Sequence, residues 1–369
     1  MREFALRPEQ GRGRKYPEPP HPHRNDYQRD RDRVIHSRAF RRLENKTQVF
    51  TTRFSDHFRN RLTHTIEVAQ IARTVARFMG LNEDLVEALA LVHDVGHPPF
   101  GHAGEKCLDQ IMQQHGDRFD HNLHALRIVE SFEQRYADFP GLNLTFEVRE
   151  GIIKHSRDYT AAEHPELAEY WLDRRPPLEA QLIDLADEVA YDTADLDDGL
   201  EAKLLTLVSM RQGLPLFEEF FGPVVRRYPT APPKLQFNET LKAMINYLVT
   251  DLMEGSLAAV ERTGVASVDA VRDHPRRLIQ FSTTAARHLK TLRAYLHENL
   301  YNHPALVPDR EQGVQVIQNL FQFYLEDPGR LPRAYAEQAG QTAPHRVICD
   351  YIAGMTDSYI QKLHQELLG

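Results

Sequence analysis

Three histidines, an aspartate and a glutamate fall within "HDVGHPPFGHAGE", residues 93 to 105, among two prolines and three glycines. Adjacent imidazole and carboxylate, as in His93 and Asp94, suit a divalent metal. His64, in "RLTHTIEVAQIARTVARFMG", supplies a third donor on an otherwise apolar helix face, where burial disfavours a titratable ring that has no partner. Asp187, in "QLIDLADEVAYDTADLDDG", supplies a fourth. Each residue alone has a plainer account: a core histidine held by hydrogen bonds, or an aspartate serving a nearby arginine. Together His64, His93, Asp94 and Asp187 read as a metal-binding set.

Two helices must position this set. His64, Val68, Ile71, Val75 and Phe78 follow the three-and-four spacing of one helix face, and Gly80 ends it as a C-cap. "NEDLVEALALVHDVG" opens on Asn82 as N-cap, turns Leu85, Leu89 and Val92 to the core, and stops at Gly96 before Pro98 and Pro99. The residues that follow are expected to cross the mouth of the metal site as a stiff loop carrying His97, His102 and Glu105, with Gly101 and Gly104 permitting tight turning. Further helices are predicted near 121–136, 145–156, 178–195, 200–212, 236–260, 276–300, 311–326 and 344–367. No comparable run of strict alternation occurs, so the expected class is all-α, with a short hairpin near 47–55 as the one candidate exception.

Composition bounds the rest. The 369 residues contain no apolar run near the length of a membrane span and no signal-peptide core, so a cytoplasmic protein without membrane attachment is expected. Two cysteines, Cys107 and Cys349, are too few for a disulfide framework. The net charge of −8 is uneven, because residues 1 to 61 hold 16 Lys/Arg against 8 Asp/Glu. That basic end fits a phosphorylated substrate, a nucleic acid or an acidic neighbouring subunit; a merely solvated arm is the plainer reading. Residues 8 to 33 show little periodicity and are expected to be irregular.

"RLTHTIEVAQIAR" and "HDVGHPPFGHAGE", with "FDHNLHALRIV", "LTFEVREGIIKHS", "ADEVAYDTADLDDG", "DHPRRLIQFS" and "RVICDYIAGMTDSYI", resemble the HD superfamily of metal-dependent phosphohydrolases. Within it they resemble the dGTPase-like deoxynucleoside triphosphate triphosphohydrolases. The resemblance implies an all-helical fold: a basic N-terminal arm over 1–60, an HD core over 61–198, and a C-terminal helical region over 199–369 packed on it. It implies one divalent ion per site on His64, His93, Asp94 and Asp187, with nothing in the mixed donor set to choose among Mn, Mg, Fe, Ni and Zn.

The same resemblance makes His102 and Glu105 the catalytic pair. His121 is an acid or phosphate contact and His97 a weaker candidate; support without proton transfer is an equal alternative for both. A metal with two carboxylates is formally neutral, so a triphosphate needs cations elsewhere. Arg61 is the first choice, one turn before His64, and Lys154, Arg276 and Arg277 are further candidates that could equally be solvated helix charges. Asp187, Tyr191 and Asp195, spaced four apart, line one helix face. The resemblance turns Tyr191 and Asp195 toward the deoxyribose, with Gln48 as an added sugar contact; otherwise Tyr191 is core and Asp195 opens an acidic turn.

The implied activity is hydrolysis of deoxynucleoside triphosphates to deoxynucleoside and tripolyphosphate. The rivals are an HD enzyme acting on nucleoside monophosphates, cyclic nucleotides or alarmones, and a dNTP- or nucleic-acid-sensing regulator. Candidate partners are the dNTP substrate, an allosteric nucleotide, single-stranded nucleic acid on the basic arm, and further copies of the chain in a dimer-based or hexameric oligomer.

Overall fold

In the computed structural model, which describes residues 1–50 and 57–369, the stretch 8–33 that was expected to be irregular runs into a helix, α1 (Asp26–Ile35), and α2 (Arg38–Arg42) follows it. A reciprocal cap starts α1: Asn25 Oδ1 accepts from the Gln28 N–H at 2.9 Å, and Gln28 Oε1 accepts from the Asn25 N–H at 3.2 Å. Much of the positive charge is matched locally, through Arg33 on Glu18 at 2.7 Å, Arg24 on Asp32 at 2.6 Å, and the buried Arg14 on Asp30. Charge pairing thus orders a segment that hydrophobic periodicity does not mark.

Fifteen more α-helices follow among the described residues: α3 (Arg61–Met79), α4 (Glu83–Val92), α5 (Gly101–Gln114), α6 (His121–Arg127), α7 (Phe146–Ile153), α8 (Leu178–Glu201), α9 (Leu207–Gly213), α10 (Pro215–Arg227), α11 (Pro233–Thr263), α12 (Val268–Arg272), α13 (Thr283–Leu296), α14 (Val307–Glu326), α15 (Arg333–Ala339), α16 (Pro344–Ala353) and α17 (Asp357–Leu368). No strand forms among the described residues, only isolated bridges such as Thr47 with Asn60. Over residues 51 to 56 the expected hairpin lies outside the described residues. None of the described helices is long and apolar enough to cross a membrane.

The chain divides into two units, each assembled from separated stretches. The first comprises Met1–Gly11, Ile66–Ala90 and Lys154–Pro304. In it α8 packs against α11 and α13. Glu179, at the start of α8, accepts the Leu6 N–H at 2.9 Å and the Asn82 N–H at 3.1 Å. Asn82 caps α4 by accepting from the Leu85 N–H at 3.2 Å. Val68, Ile71 and Val75 are buried as expected, but Phe78 is 46% exposed and Met79 takes the interior place, one i+4 step beyond Val75.

The second unit comprises Arg12–Thr65, Leu91–Ile153 and Ala305–Gly369. Helices α5, α14 and α16 pack around Leu108, Met112, Ile317, Leu320, Phe321, Ile348 and Ile352. Each such side chain contributes about 1.5–3 kcal/mol by leaving water. Residues 101 to 105 are the first turn of α5 rather than a loop, because Cys107, Leu108 and Met112 bring an apolar stripe onto α14. Gly104 permits the close start: a Cβ there would lie 1.9 Å from the Pro99 carbonyl oxygen. The Asp357 carboxylate, at the start of α17, accepts the N–H of Phe100 on Oδ1 and that of Thr47 on Oδ2, both at 3.0 Å. The single helix expected over 344–367 is broken at Gly354, and Thr356 caps the second half.

Candidate active site

In the second unit α3 begins with Arg61 and His64, while His93 and Asp94 follow directly on the last residue of α4. All four are buried, with 2 to 4% exposure. His64, His93 and Asp94 each offer a ligand atom, and these atoms lie within 4.8 Å of one another. The two imidazole rings sit 5.8 Å apart at 65°. Two imidazoles and a carboxylate gathered in the protein interior are a nitrogen and oxygen donor set that fits a divalent ion.

Asp94 is held from two sides. Its Oδ2 takes Arg61 Nη1 at 2.8 Å, and its Oδ1 lies 3.0 Å from His97 Nε2. Burial alone would raise its pKa, but Arg61 and the neighbouring histidines hold it well below the ordinary carboxylate range. Burial, with the nearby Arg61 charge, lowers the His97 pKa far below that of a free imidazole, so His97 is neutral at neutral pH. Gly96 lets α6 approach this turn: a Cβ there would meet the His121 carbonyl oxygen at 2.0 Å. The approach also brings His124 Nδ1 to the Gly96 carbonyl at 2.9 Å, which makes His124 a structural histidine.

A second group adjoins the first. The His97 and His121 rings stack with centroids 4.0 Å apart, and His121 Nδ1 meets Glu105 Oε1 at 2.7 Å. His102 Nδ1 lies 3.8 Å from the other Glu105 oxygen, and its side chain is 74% exposed. Burial would raise the Glu105 pKa, yet the nearby His102 ring and the His121 hydrogen bond press it far below normal and keep the carboxylate ionised. The structure therefore gathers His97, His102, Glu105 and His121, on three elements, into one cluster of titratable side chains. Gln48 lies in the same unit, half-buried, with its backbone oxygen 3.4 Å from where a Cβ of Gly101 would stand.

The remaining candidates belong to the first unit. Asp187, Tyr191 and Asp195 share a face of α8, and the Tyr191 ring stacks on Tyr301 at 5.8 Å. Tyr301 also donates its hydroxyl to Asp195. Nothing in the local sequence marks Tyr301, which sits in a π turn, His297–Tyr301, where periodicity alone continues a regular helix to residue 300. His155, absent from the sequence-derived candidates, lies 2.7 Å from Asp184 and 4.0 Å from Asp187. The signal was its place beside Lys154 at the end of a fully buried helix, α7. Lys154 itself is buried and donates to the Trp171 and Arg174 carbonyls at 2.8 and 2.7 Å. Arg277 pairs with Asp184 and Asp158, and Arg276 is exposed.

Comparison with known proteins adds the family context. A model described as the HD domain matches residues 61–192, and one described as a phosphohydrolase-associated domain matches residues 279–366. The chain is 47% identical over 369 residues to a deoxyguanosinetriphosphate triphosphohydrolase-like protein of Bordetella pertussis, covering 99% of this chain and 95% of the relative. Like-named relatives are 46% identical in an Azoarcus species, covering 99% of this chain and 95% of the relative, and 43% identical in Geobacter metallireducens, covering 96% and 92%.

Proposed function

We propose, for a chain that belongs to the deoxyguanosinetriphosphate triphosphohydrolase-like family of HD phosphohydrolases, a metal-dependent hydrolysis of deoxynucleoside triphosphates to deoxynucleoside and inorganic tripolyphosphate. The observation that carries this reading is the unbroken succession Asp94, His97, His121, Glu105: a carboxylate of the ligand trio leads through two imidazoles to an ionised acid. A hydrolase must hold an electrophilic phosphorus next to groups that move protons, and this succession supplies both.

His64, His93 and Asp94, with Asp187 proposed as the fourth ligand, would hold the divalent ion. Bound there, such an ion polarises a phosphate oxygen and lowers the pKa of water. His102, exposed and oriented by Glu105, removes the proton of a water that attacks the α-phosphorus. The bond from phosphorus to the 5′-oxygen breaks, its electron pair leaves on that oxygen, and His121 returns a proton to it, with neutral His97 stacked on the His121 ring as support. Arg61 offsets phosphate charge from the edge of the ligand trio. Asp195, fixed by Tyr301, accepts the 3′-hydroxyl, and Tyr191 fills the space a 2′-hydroxyl would need, which disfavours ribonucleotides. Gln48 adds a sugar contact.

Purified protein incubated with each dNTP and NTP, in the presence of Mn²⁺, Mg²⁺, Fe²⁺, Ni²⁺ or Zn²⁺, with anion-exchange separation of the products, tests this reading. Intact tripolyphosphate with free deoxynucleoside is the expected result. Orthophosphate or pyrophosphate with a nucleotide product, or turnover of monophosphates or cyclic nucleotides alone, would replace it with another HD activity.

A further inference from the structure

His97, Glu105 and His121 are themselves a set of metal-capable donors, one ligand atom of each lying within 4.8 Å of the others. Their tautomers follow from their hydrogen bonds. A neutral imidazole carries one N–H. His97 Nε2 faces the Asp94 carboxylate at 3.0 Å and so carries the proton, which leaves a lone pair on Nδ1. That Nδ1 is buried, has no hydrogen-bond partner among the described residues, and belongs to a side chain only 6% exposed. An unmade hydrogen bond at such a buried acceptor costs about 1–3 kcal/mol, so a ligand that takes the lone pair is favoured.

His121 repeats the arrangement. Its Nδ1 faces Glu105 Oε1 at 2.7 Å and carries the proton, which leaves the Nε2 lone pair. Glu105 contributes a carboxylate, so the set offers two imidazole nitrogens and one carboxylate oxygen. That is the donor type zinc accepts in sites with three protein ligands and an open position, whereas Mg²⁺ prefers oxygen donors. Glu105 and His121 are each 18% exposed on their side chains, so an ion can enter from solvent.

We propose that His97, Glu105 and His121 form a second divalent-cation site of zinc class, and that its occupancy inhibits the enzyme by taking the lone pairs and the carboxylate needed for proton transfer. The inhibition rests on the hydrolytic reading above; the site itself does not. Cations higher in the affinity order for nitrogen donors, Ni²⁺ and Cu²⁺, compete for the same three atoms.

The test is Zn²⁺ titration of the full chain by calorimetry, with elemental analysis after dialysis and the far-ultraviolet circular dichroism of each variant as a folding check. The parent is expected to bind two Zn²⁺ per chain. Glu105→Gln, which keeps the shape of the side chain, and His121→Ala are each expected to bind one, and His64→Ala to lose the other. Mg²⁺ is expected to fill only one site. Filling the second equivalent should lower turnover by about 10² to 10⁴, the cost of losing acid-base help. A parent that stops at one Zn²⁺ under saturating conditions, or folded Glu105→Gln and His121→Ala proteins that both still bind two, would overturn the site. Two ions bound with undiminished turnover would overturn the inhibition. Absence of tripolyphosphate among the products would leave the stoichiometry standing and fault the hydrolytic reading alone.

Discussion

Arg61 and Asp94 form a buried ion pair, Nη1 to Oδ2 at 2.8 Å, with side chains 3 and 5% exposed. Breaking such a pair by removing one partner leaves a buried charge uncompensated, at a cost of about 3–5 kcal/mol. Arg61→Ala should therefore destabilise the metal-free protein by roughly that amount, measured by urea unfolding in the presence of chelator. Excess divalent metal should recover part of the loss by neutralising Asp94 in place of the guanidinium. Equal unfolding midpoints for parent and variant in chelator would remove Arg61 from this role.

The ligand assignment predicts that His64→Ala, His93→Ala, Asp94→Ala and Asp187→Ala each lower metal affinity by more than the roughly 10–100-fold that follows removal of a supporting group. Metal content after dialysis against a graded metal buffer measures it. A variant that keeps full stoichiometry at the lowest metal concentration was not a ligand, and for Asp187 that outcome would reassign the fourth position.

His102→Ala is expected to keep the ion held by His64, His93 and Asp94 and to lose about 10² to 10⁴ in kcat, with KM little changed. Glu105→Ala should show a similar loss, because its carboxylate orients His102 and His121. Steady-state kinetics beside metal analysis separates this pattern from ligand loss, in which both quantities fall. Parental turnover in His102→Ala would make the first turn of α5 structural only.

Glu179 gives the protein a pH-dependent stability. Burial pushes its pKa from 4.5 up to about 7, against the opposing pull of the Asn82 and Leu6 N–H groups. A raised carboxyl pKa means that the folded state keeps a proton which the unfolded chain releases earlier. The contribution is thus complete below about 4.5 and lost as pH rises through about 7. Glu179→Gln cannot ionise, and its Oε1 can still accept both N–H groups. It should match the parent near pH 4.5 and exceed it above pH 7 by up to about 3 kcal/mol. Parallel stability curves across that range would show that Glu179 ionises normally.

Local periodicity made the candidate ligand cluster legible and left its neighbours harder to read. His64 could be found because Val68, Ile71 and Val75 mark its helix face as interior, and His93 and Asp94 because a helix ending in Leu89 and Val92 delivers them to the core. The opening of α5 read as a loop because two prolines and two glycines outweighed Cys107, Leu108 and Met112; Gly104 is there for a close approach to Pro99 and does not break the helix. Helix α1 was hidden because its order comes from pairings off the helix itself: nearby ion pairs such as Arg14 with Asp30, and a distant hydrogen bond in which Asp30 Oδ2 accepts the Thr145 N–H at 2.8 Å. Tyr301 and His155 act through partners on α8, which no local pattern reveals.

Asp357 holds both the segment before α3 and the turn before α5, one carboxylate oxygen to each. Two stretches distant in sequence therefore share a single rigid anchor, and neither can shift without loading the other. Strain applied at Thr47 is passed through one planar group to Phe100 and the first turn of α5, so the neighbourhoods of Gln48 and His102 tighten or loosen as a unit.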